Sequence, residues 1–453
     1  MTPSPRYRLQ GRVRAAGIVV VLTVTLLSAG AAALGQHAQA LAYRSSNDAK
    51  EVIGATPGQP LAWSWDAPTD LALPPFVSKE PLFARWQSPT VPGGAVQMAL
   101  DPSVADGPYE RLFIDTNANG RLDDELPVQA FSATKTPLGQ SVDFRQVPVQ
   151  LTGPGGGMTY HLNIVLEIKG REPSEFVATA AGWREGSVRI GRATLECVLI
   201  DTHANGTFND SDEDPTLSDA IWLGGPSAAL MAPVAPYIEV DGRLFGLEVP
   251  QDGSSVTLAP MGTNIGFFRV PIDIVRVGLT TARGQGRQLA FNVRGGRFPV
   301  PADWYRVDSW VQRRKDSSGK VWALEAVAGR ALRHMQILAS RGTDLDLGEP
   351  VIPWMTTTWH FPSGYTFSNP RLSGRGGEHV TLTYEGRPAP PPTLEIVSAG
   401  GAYRWTLRFG RGYLYGVLGN QVSWKAPRDA PRPFGVLFHY DGPFRIERRI
   451  VVR

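Results

Sequence analysis

The chain has 453 residues, enough for about three domains at ~150 residues each. Hydrophobic residues make up 42%, which is sufficient to build real cores and excludes a wholly disordered chain. The 49 glycines and 38 prolines are too many for a helical bundle or a coiled coil, and they favour turn-rich β structure. The single Cys197 excludes an intrachain disulfide framework and a cysteine-based metal cluster.

Residues 1–40 have the three-part layout of a secretory signal. An apolar run spans residues 15–34, and the A-x-A arrangement of Ala38 and Ala40 predicts cleavage after Ala40. The basic residues ahead of the run are Arg6, Arg8, Arg12 and Arg14. We therefore expect a secreted, periplasmic or cell-envelope protein. The alternative is an uncleaved N-terminal membrane anchor, because a run of this length can cross a bilayer.

The basic character of the chain comes from this N-terminal segment. The formal net charge is +3, but residues 1–40 contain four arginines and no acidic residue, so the remaining chain carries −1. A nucleic-acid partner is therefore not expected. Membrane contact is expected only if the segment is retained, and the sequence points to no partner more specific than a cell-envelope or glycan component.

Alternating apolar and polar residues dominate the chain after a Ser- and Pro-containing stretch at 41–74, which we interpret as a linker or an irregular arm. Hairpins are predicted over 142–168, over 237–249 with its turn at Asp241-Gly242, and over 304–326 with its turn at Asp316–Gly319. The segment 326–340 is compatible with a helix or a strand, and we favour a strand.

The C-terminal part, residues 351–453, is predicted to be a separate unit of short strands with turn residues between them. This pattern is typical of an immunoglobulin-like sandwich, although the Cys–Trp–Cys signature is missing. We expect a mainly β protein with several β-sandwich-like units and few helices. The predicted regions are a signal peptide (1–40), the arm (41–74), a β-rich region with two related halves (75–260), a β-rich middle region (261–350) and the C-terminal sandwich (351–453).

The candidate metal-binding residues of the chain lie in one internal repeat. The segments IDTNANG (114–120) and IDTHANG (200–206) differ at a single position, and an acidic stretch follows each copy. We define loop 1 as residues 115–125 and loop 2 as residues 201–212. Each loop follows an apolar, strand-like segment and precedes one of the predicted hairpins, which is why we expect two related halves.

Both loops resemble the calcium loops of EF-hands and dockerins, D-x-[DN]-x-[DN]-G with an acidic residue at position twelve. Ca²⁺ takes six to eight oxygen ligands, which such a loop supplies from alternate residues. In loop 2, the resemblance assigns ligand positions to Asp201, His203, Asn205, Thr207, Asn209 and Asp212. In loop 1, it assigns them to Asp115, Asn117, Asn119, Arg121 (through its carbonyl), Asp123 and Glu125.

Each loop departs from the calcium pattern once. His203 offers an imidazole, which is a poor ligand for Ca²⁺. Position twelve of loop 1 is Leu126, so its nearest acids are Asp124 and Glu125. Because the preceding segments are strand-like, we expect the loop without the EF-hand helix pair.

Three interpretations of the loops stay open at this point. They bind Ca²⁺ weakly, with Kd about 10⁻⁴–10⁻³ M as in extracellular modules. Alternatively, they are Asx-type turns that need no metal, because Asp and Asn side chains bond the backbone two residues on. A third option is another metal.

No catalytic motif accompanies the repeat. The seven histidines show no metal-ligand spacing, and no nucleophile elbow or Walker loop is present, so we do not expect an enzyme. Our expectation is an exported structural or adhesive protein with weak structural calcium binding. The alternative is a carbohydrate-binding module or glycan-active enzyme, for which the twelve tryptophans, Trp354 and Trp359 among them, could supply a binding face.

Overall fold

The computed structural model describes residues 37–453 apart from 154–155, 213–217, 225–230, 283–286, 329–333, 362–363, 399, 410–420, 428–432, 441, 447–448 and 453. Most of the predicted signal peptide, residues 1–36, therefore lies outside the described residues. In the part of the chain that is described, no helix is long and apolar enough to span a membrane.

The first part of the described chain is almost entirely β. Its strands are β1 (Gln39–Ala40), β2 (Ala42–Ser45), β3 (Gln59–Pro60), β4 (Ala62–Ser64), β5 (Leu82–Gln87), β6 (Ala95–Asp101), β7 (Arg111–Ile114), β8 (Val128–Gln129), β9 (Ser132–Thr136), β10 (Gly139–Gly153), β11 (Gly156–Lys169), β12 (Glu172–Ala180), β13 (Gly182–Ile190), β14 (Ala193–Ile200), β15 (Ala220–Leu223), β16 (Met231–Pro233), β17 (Tyr237–Val240), β18 (Arg243–Glu248) and β19 (Ser255–Pro260). Its helical elements are α1 (Ala49–Ile53) and a 3₁₀ turn at Pro92–Gly94.

The second part continues in the same way. Its strands are β20 (Ile265–Arg269), β21 (Ile274–Thr281), β22 (Gln288–Asn292), β23 (Arg297–Pro301), β24 (Trp304–Lys315), β25 (Val321–Val327), β26 (Met335–Gln336), β27 (Gly342–Asp344), β28 (Ile352–His360), β29 (Gly364–Ser373), β30 (His379–Tyr384), β31 (Arg387–Pro388), β32 (Thr393–Ser398), β33 (Arg404–Arg408), β34 (Gln421–Lys425), β35 (Phe434–His439) and β36 (Arg449–Val452). The prediction of a mainly β protein with few helices is confirmed.

The predicted hairpins are confirmed by their strand pairing. Strands β10 and β11 pair antiparallel over 139–169, as do β17 and β18 and also β24 and β25. Asp241 and Gly242 both have positive φ, 52° and 77°, as a tight two-residue turn requires. In the ambiguous segment 326–340, β25 ends at Val327 and β26 covers two residues, while 329–333 lies outside the described residues.

The segment 41–74, which we expected to be a linker or an irregular arm, supplies edge strands to several sheets. β2 pairs with β13, β3 with β12 and β4 with β5. β1 lies just upstream, at the predicted cleavage site, and pairs with β19. Cleavage after Ala40 would therefore remove β1 and leave the other three strands in place.

Four sheets enclose the core of residues 37–260. Their strand orders are β1-β19-β18-β17, β3-β12-β11-β10-β9, β16-β15-β14-β13-β2 and β4-β5-β6-β7-β8. One continuous hydrophobic cluster joins them, and it includes the fully buried Trp86, Phe144 and Tyr160. The two loops of the repeat each follow a strand of this region.

A ten-stranded sheet dominates the second part of the chain. Its main path is β22-β21-β24-β25-β30-β29-β28, so strands from both sides of residue 350 share it. A second sheet, β33-β32-β35-β36, packs through Leu394 and Phe434 onto Tyr365 and Trp424 of β29 and β34. The C-terminal residues therefore contain a two-layer β arrangement. Its immunoglobulin-like character stays a prediction.

Candidate functional site: the two repeat loops

Both repeat loops start where a buried strand ends. Strand β7 ends at Ile114 and Asp115 follows, while β14 ends at Ile200 and Asp201 follows. The next strands are β8 and β15, each paired with the strand that entered its loop. The loops are thus corners between antiparallel strands, with no flanking helix, as the sequence predicts.

The two loops have the same backbone conformation at their two diagnostic positions. Ala118 and Ala204 have φ of 54° and 53°, a left-handed conformation that L-residues rarely adopt. Gly120 and Gly206 follow with φ of 75° and 86°. Because the sequence repeat is reproduced in these angles, the loops are two copies of one local structure.

The first aspartate organises each loop. The carboxylate of Asp115 accepts hydrogen bonds from the backbone N–H groups of Asn119 and Gly120, both at 2.9 Å. In loop 2, Asp201 accepts from the N–H groups at the same two positions, at 3.2 and 2.7 Å. These bonds satisfy the backbone donors that the tight turn leaves without a partner strand.

A second carboxylate in each loop, Asp124 and Asp210, was not among the predicted ligands, although the sequence marks Asp124 as an acid near position twelve. The side-chain amide of Asn119 donates to Asp124 (2.9 Å), and that of Asn205 donates to Asp210 (2.6 Å). Both acids lie nine residues after the first aspartate, so aligning the two copies past the glycine would have found them. Their contacts link the middle of each loop to its end.

A further carboxylate bonds the second residue of each loop. It is supplied from within loop 1 but from outside loop 2. In loop 1, Glu125 accepts hydrogen bonds from the N–H and the hydroxyl of Thr116, at 2.8 and 2.7 Å. In loop 2, Asp219 accepts from the N–H of Thr202 (3.1 Å). The other oxygen of Asp219 accepts from the N–H of Asp210 at 2.8 Å. Because Asp219 lies outside the repeat, its role could not be read from the motif.

The two loops differ in burial. The first half of loop 2, including Asp201, Ala204 and Thr207, is buried in the core, where the indole N–H of Trp86 donates to the carbonyl of Ala204 (2.6 Å). The hydroxyl of Tyr160 donates to Asp201 at 2.7 Å. Loop 1 instead lies at the surface, with the side chains of Asn117 and Asn119 exposed.

Burial raises the pKa values of Asp201 in loop 2 and of the adjoining Asp219. It raises the pKa of the Asp201 carboxyl to about 7, although the hydrogen bonds from Tyr160 and the loop backbone act in the opposite direction. The pKa of Asp219 is raised well above its ordinary value by burial and by the neighbouring charges of Asp201 and Asp210. Burying these carboxyl groups therefore disfavours their charged forms, and the hydrogen bonds of loop 2 offset part of that cost.

The remaining predicted ligands have other contacts. Asp123 forms an exposed ion pair with Arg121 at 2.7 Å. Asn209 is exposed, His203 is half-buried, and the backbone N–H of Asp212 donates to Ser218. The single hydroxyl hydrogen of Thr207 is shared between two acceptors, Asn205 Oδ1 (2.7 Å) and Asp210 Oδ2 (2.9 Å). Leu126, at position twelve of loop 1, is 89% exposed and offers no side-chain ligand.

Loop 1 fits a cation better than loop 2 does. An ionised carboxylate has about four lone-pair sites, of which Asp115 uses two for its backbone donors and Asp201 uses three. Asn117 and Asn119 also present their oxygens within loop 1, each accepting one backbone N–H. Within the described residues, no group of three or more His, Cys, Asp or Glu is arranged to hold a metal ion. Any ion in loop 1 would therefore depend on amide and carbonyl oxygens as well as on carboxylates.

The tryptophans and the cysteine also bear on function. Cys197 is buried in β14, where burial raises the pKa of its thiol to about 12, as suits a core residue. Trp359 lies on an edge strand, β28, and is 55% exposed. Its ring is nearly perpendicular to that of Phe361, at 89°, and the half-exposed Trp63 and Trp65 meet at 72°. Neither pair forms the flat platform expected of a glycan-binding face.

No protein-family model, curated protein or solved structure matches this chain. The likeness of the two loops to EF-hand and dockerin loops therefore rests on the dozen residues of each copy.

Proposed function

We propose that the chain is an exported, non-catalytic β-rich structural or adhesive protein in which loop 1 binds Ca²⁺ weakly as a structural staple. In the same proposal, loop 2 is chiefly a buried corner of the core. One observation supports this assignment. The two loops have closely similar sequences and the same backbone conformation, but their side chains differ in burial.

The charge of loop 1 supports a cation. Its four carboxylates are opposed by the single guanidinium of Arg121, which is exposed and pairs with Asp123. Negative charges held close together at a surface repel one another, and a divalent cation relieves that repulsion. The residues that would hold the ion are Asp115, Asn117, Asn119, Arg121 through its carbonyl, Asp123 and Glu125.

The contacts of loop 2 favour a structural role. Asp201 accepts three hydrogen bonds, one of them from Tyr160, so fewer of its lone pairs are left for an ion. His203 stands where loop 1 has Asn117, and an imidazole suits Ca²⁺ poorly. Calcium binding by loop 2 stays a prediction that the experiment below also tests.

Position nine of the loops offers a matched pair of variants, because Asp123 and Asn209 are both exposed. Calorimetric titration with Ca²⁺ should give Kd about 10⁻⁴–10⁻³ M for the wild type. Asp123→Ala should weaken binding several-fold, while Asn209→Ala should leave it unchanged. Absence of Ca²⁺ binding, or equal effects of the two substitutions, would overturn the assignment of loop 1.

Export is tested separately by the mass of the protein recovered outside the cytoplasm. The proposal predicts a mature chain that begins at Leu41. A chain that retains residues 1–40 would instead support the membrane anchor. The glycan-binding alternative would be supported if soluble oligosaccharides quenched the fluorescence of the exposed tryptophans.

A further inference from the structure

A cavity of about 390 Å³ lies between two hydrophobic clusters and adjoins loop 2 at Thr202. Ile53 and Ile200 line it from the cluster of residues 37–260, and Leu279 and Leu289 line it from the cluster of the second part. Its size is at the lower end of the range for small-molecule sites, which favour junctions of this kind.

Among the described residues that line this cavity, one is a cation. The guanidinium of Arg276, on β21, donates a hydrogen bond to the carbonyl oxygen of Met231 at 2.9 Å. Among the described residues, this is its only hydrogen bond, and no carboxylate lies within ion-pair distance of it. A guanidinium carries five N–H donors, so most of its donors are available to another acceptor.

The electrostatic surroundings of Arg276 favour an anion. Burial lowers the pKa of Arg276, and the like charge of Arg313 acts in the same direction. Arg276 is half-buried, and an anionic group placed on its guanidinium would compensate a positive charge that the described residues leave uncompensated.

The two acids that line the cavity are engaged elsewhere. Asp219 accepts backbone N–H groups of loop 2 with both oxygens. Asp308 accepts the hydroxyl of Thr280 and an N–H of Arg306. Neither acid pairs with Arg276, so the described lining combines mostly apolar side chains, two engaged carboxylates and one guanidinium.

We propose that this cavity binds a small apolar carboxylic acid, with its carboxylate on Arg276 and its hydrocarbon part between the two clusters. A guanidinium holds a carboxylate through two parallel N–H···O bonds, which gives both affinity and orientation. Contact with the apolar lining residues would bury the hydrocarbon, and burying each methylene adds to affinity. This inference is independent of calcium binding by the loops.

Calorimetric titration of the full chain with octanoate tests the proposal, and octanol serves as the uncharged control ligand. Octanoate should bind saturably and octanol at least tenfold more weakly. Arg276→Gln should weaken octanoate binding at least tenfold, because a hydrogen-bonded charge is lost. Arg243→Gln, at an exposed hairpin position, should leave it unchanged.

Ala290→Phe gives a second variant that keeps the guanidinium and fills the cavity, which Ala290 lines. It should abolish octanoate binding, and the melting temperature of each variant reports whether the fold is retained. The proposal is overturned if octanoate does not bind the wild type, if octanol binds equally well, or if Arg276→Gln binds octanoate like the wild type.

Discussion

Ala118 and Ala204 occupy the same left-handed backbone conformation, at φ of 54° and 53°, although 86 residues separate them and only Ala204 is fully buried. A non-glycine residue at positive φ costs about 1–2 kcal/mol, so each loop holds it in place through other contacts. The hydrogen bonds of Asp115 and Asp201 are among the contacts that the two loops share, together with the bonds from Asn119 to Asp124 and from Asn205 to Asp210.

The glycine two residues after this alanine, Gly120 or Gly206, has different packing in the two loops. Gly120→Ala should destabilise the protein by about 1 kcal/mol, because among the described residues beyond its chain neighbours an added Cβ would meet the Asp70 carbonyl oxygen at 3.7 Å and nothing closer, so the cost is conformational. Gly206→Ala should cost about 2–4 kcal/mol, since the new methyl group would also lie 2.9 Å from Leu151. Urea unfolding measures both, and equal losses would contradict the difference in packing.

The hydroxyl of Tyr160 supports loop 2 through its bond to Asp201. Tyr160→Phe should lower the free energy of unfolding by about 1–3 kcal/mol, because a buried carboxylate loses a donor. Tyr109→Phe is the matched control, since the Tyr109 hydroxyl donates to the Glu80 carbonyl at the surface. This substitution should lower the free energy of unfolding by less than about 0.5 kcal/mol. If the two variants unfold at the same urea concentration, Asp201 does not depend on Tyr160.

The turn at Asp316 gives a prediction of pH dependence. Hydrogen bonds from the Ser318 hydroxyl and the Trp322 indole lower the pKa of Asp316 to about 2. Between about pH 4 and pH 2 the unfolded chain therefore binds more protons at this residue than the folded chain, and the stabilisation is lost as pH falls. It is fully present at neutral pH.

Asp316→Asn isolates this contribution. The stability difference between wild type and variant should be constant above about pH 5 and shrink as the pH approaches 2. Urea unfolding across this pH range measures it. A difference that stays constant throughout would show that Asp316 does not titrate with folding.

Much of the fold could be predicted from local patterns, because hairpins are encoded by alternation and turn residues close together in sequence. The turn at Asp241-Gly242 is an example. The short strands β1 to β4 could not, since edge strands of two to four residues pair through the backbone and leave too short an alternation to detect.

The candidate site was likewise predictable only in part from the sequence. The conformation of both loops follows from the D-x-N-x-N-G pattern itself. Their difference in burial does not, because Trp86 and Tyr160 reach loop 2 from strands far away in the chain. Asp219 was missed for another reason, since the register of β14 on β15, which sets Ile200 opposite Ala220, brings it to Thr202.

Thermal unfolding in excess EGTA and then in millimolar Ca²⁺, with Mg²⁺ as the control ion, tests the central claim most directly. At a free concentration tenfold above Kd, Ca²⁺ should stabilise the fold by about 1.4 kcal/mol and raise Tm by about 1–3 °C. The rise should be clearly smaller in Asp123→Ala and unchanged in Asn209→Ala. Superimposable curves in EGTA, Mg²⁺ and Ca²⁺ would contradict the account and make both loops metal-free turns.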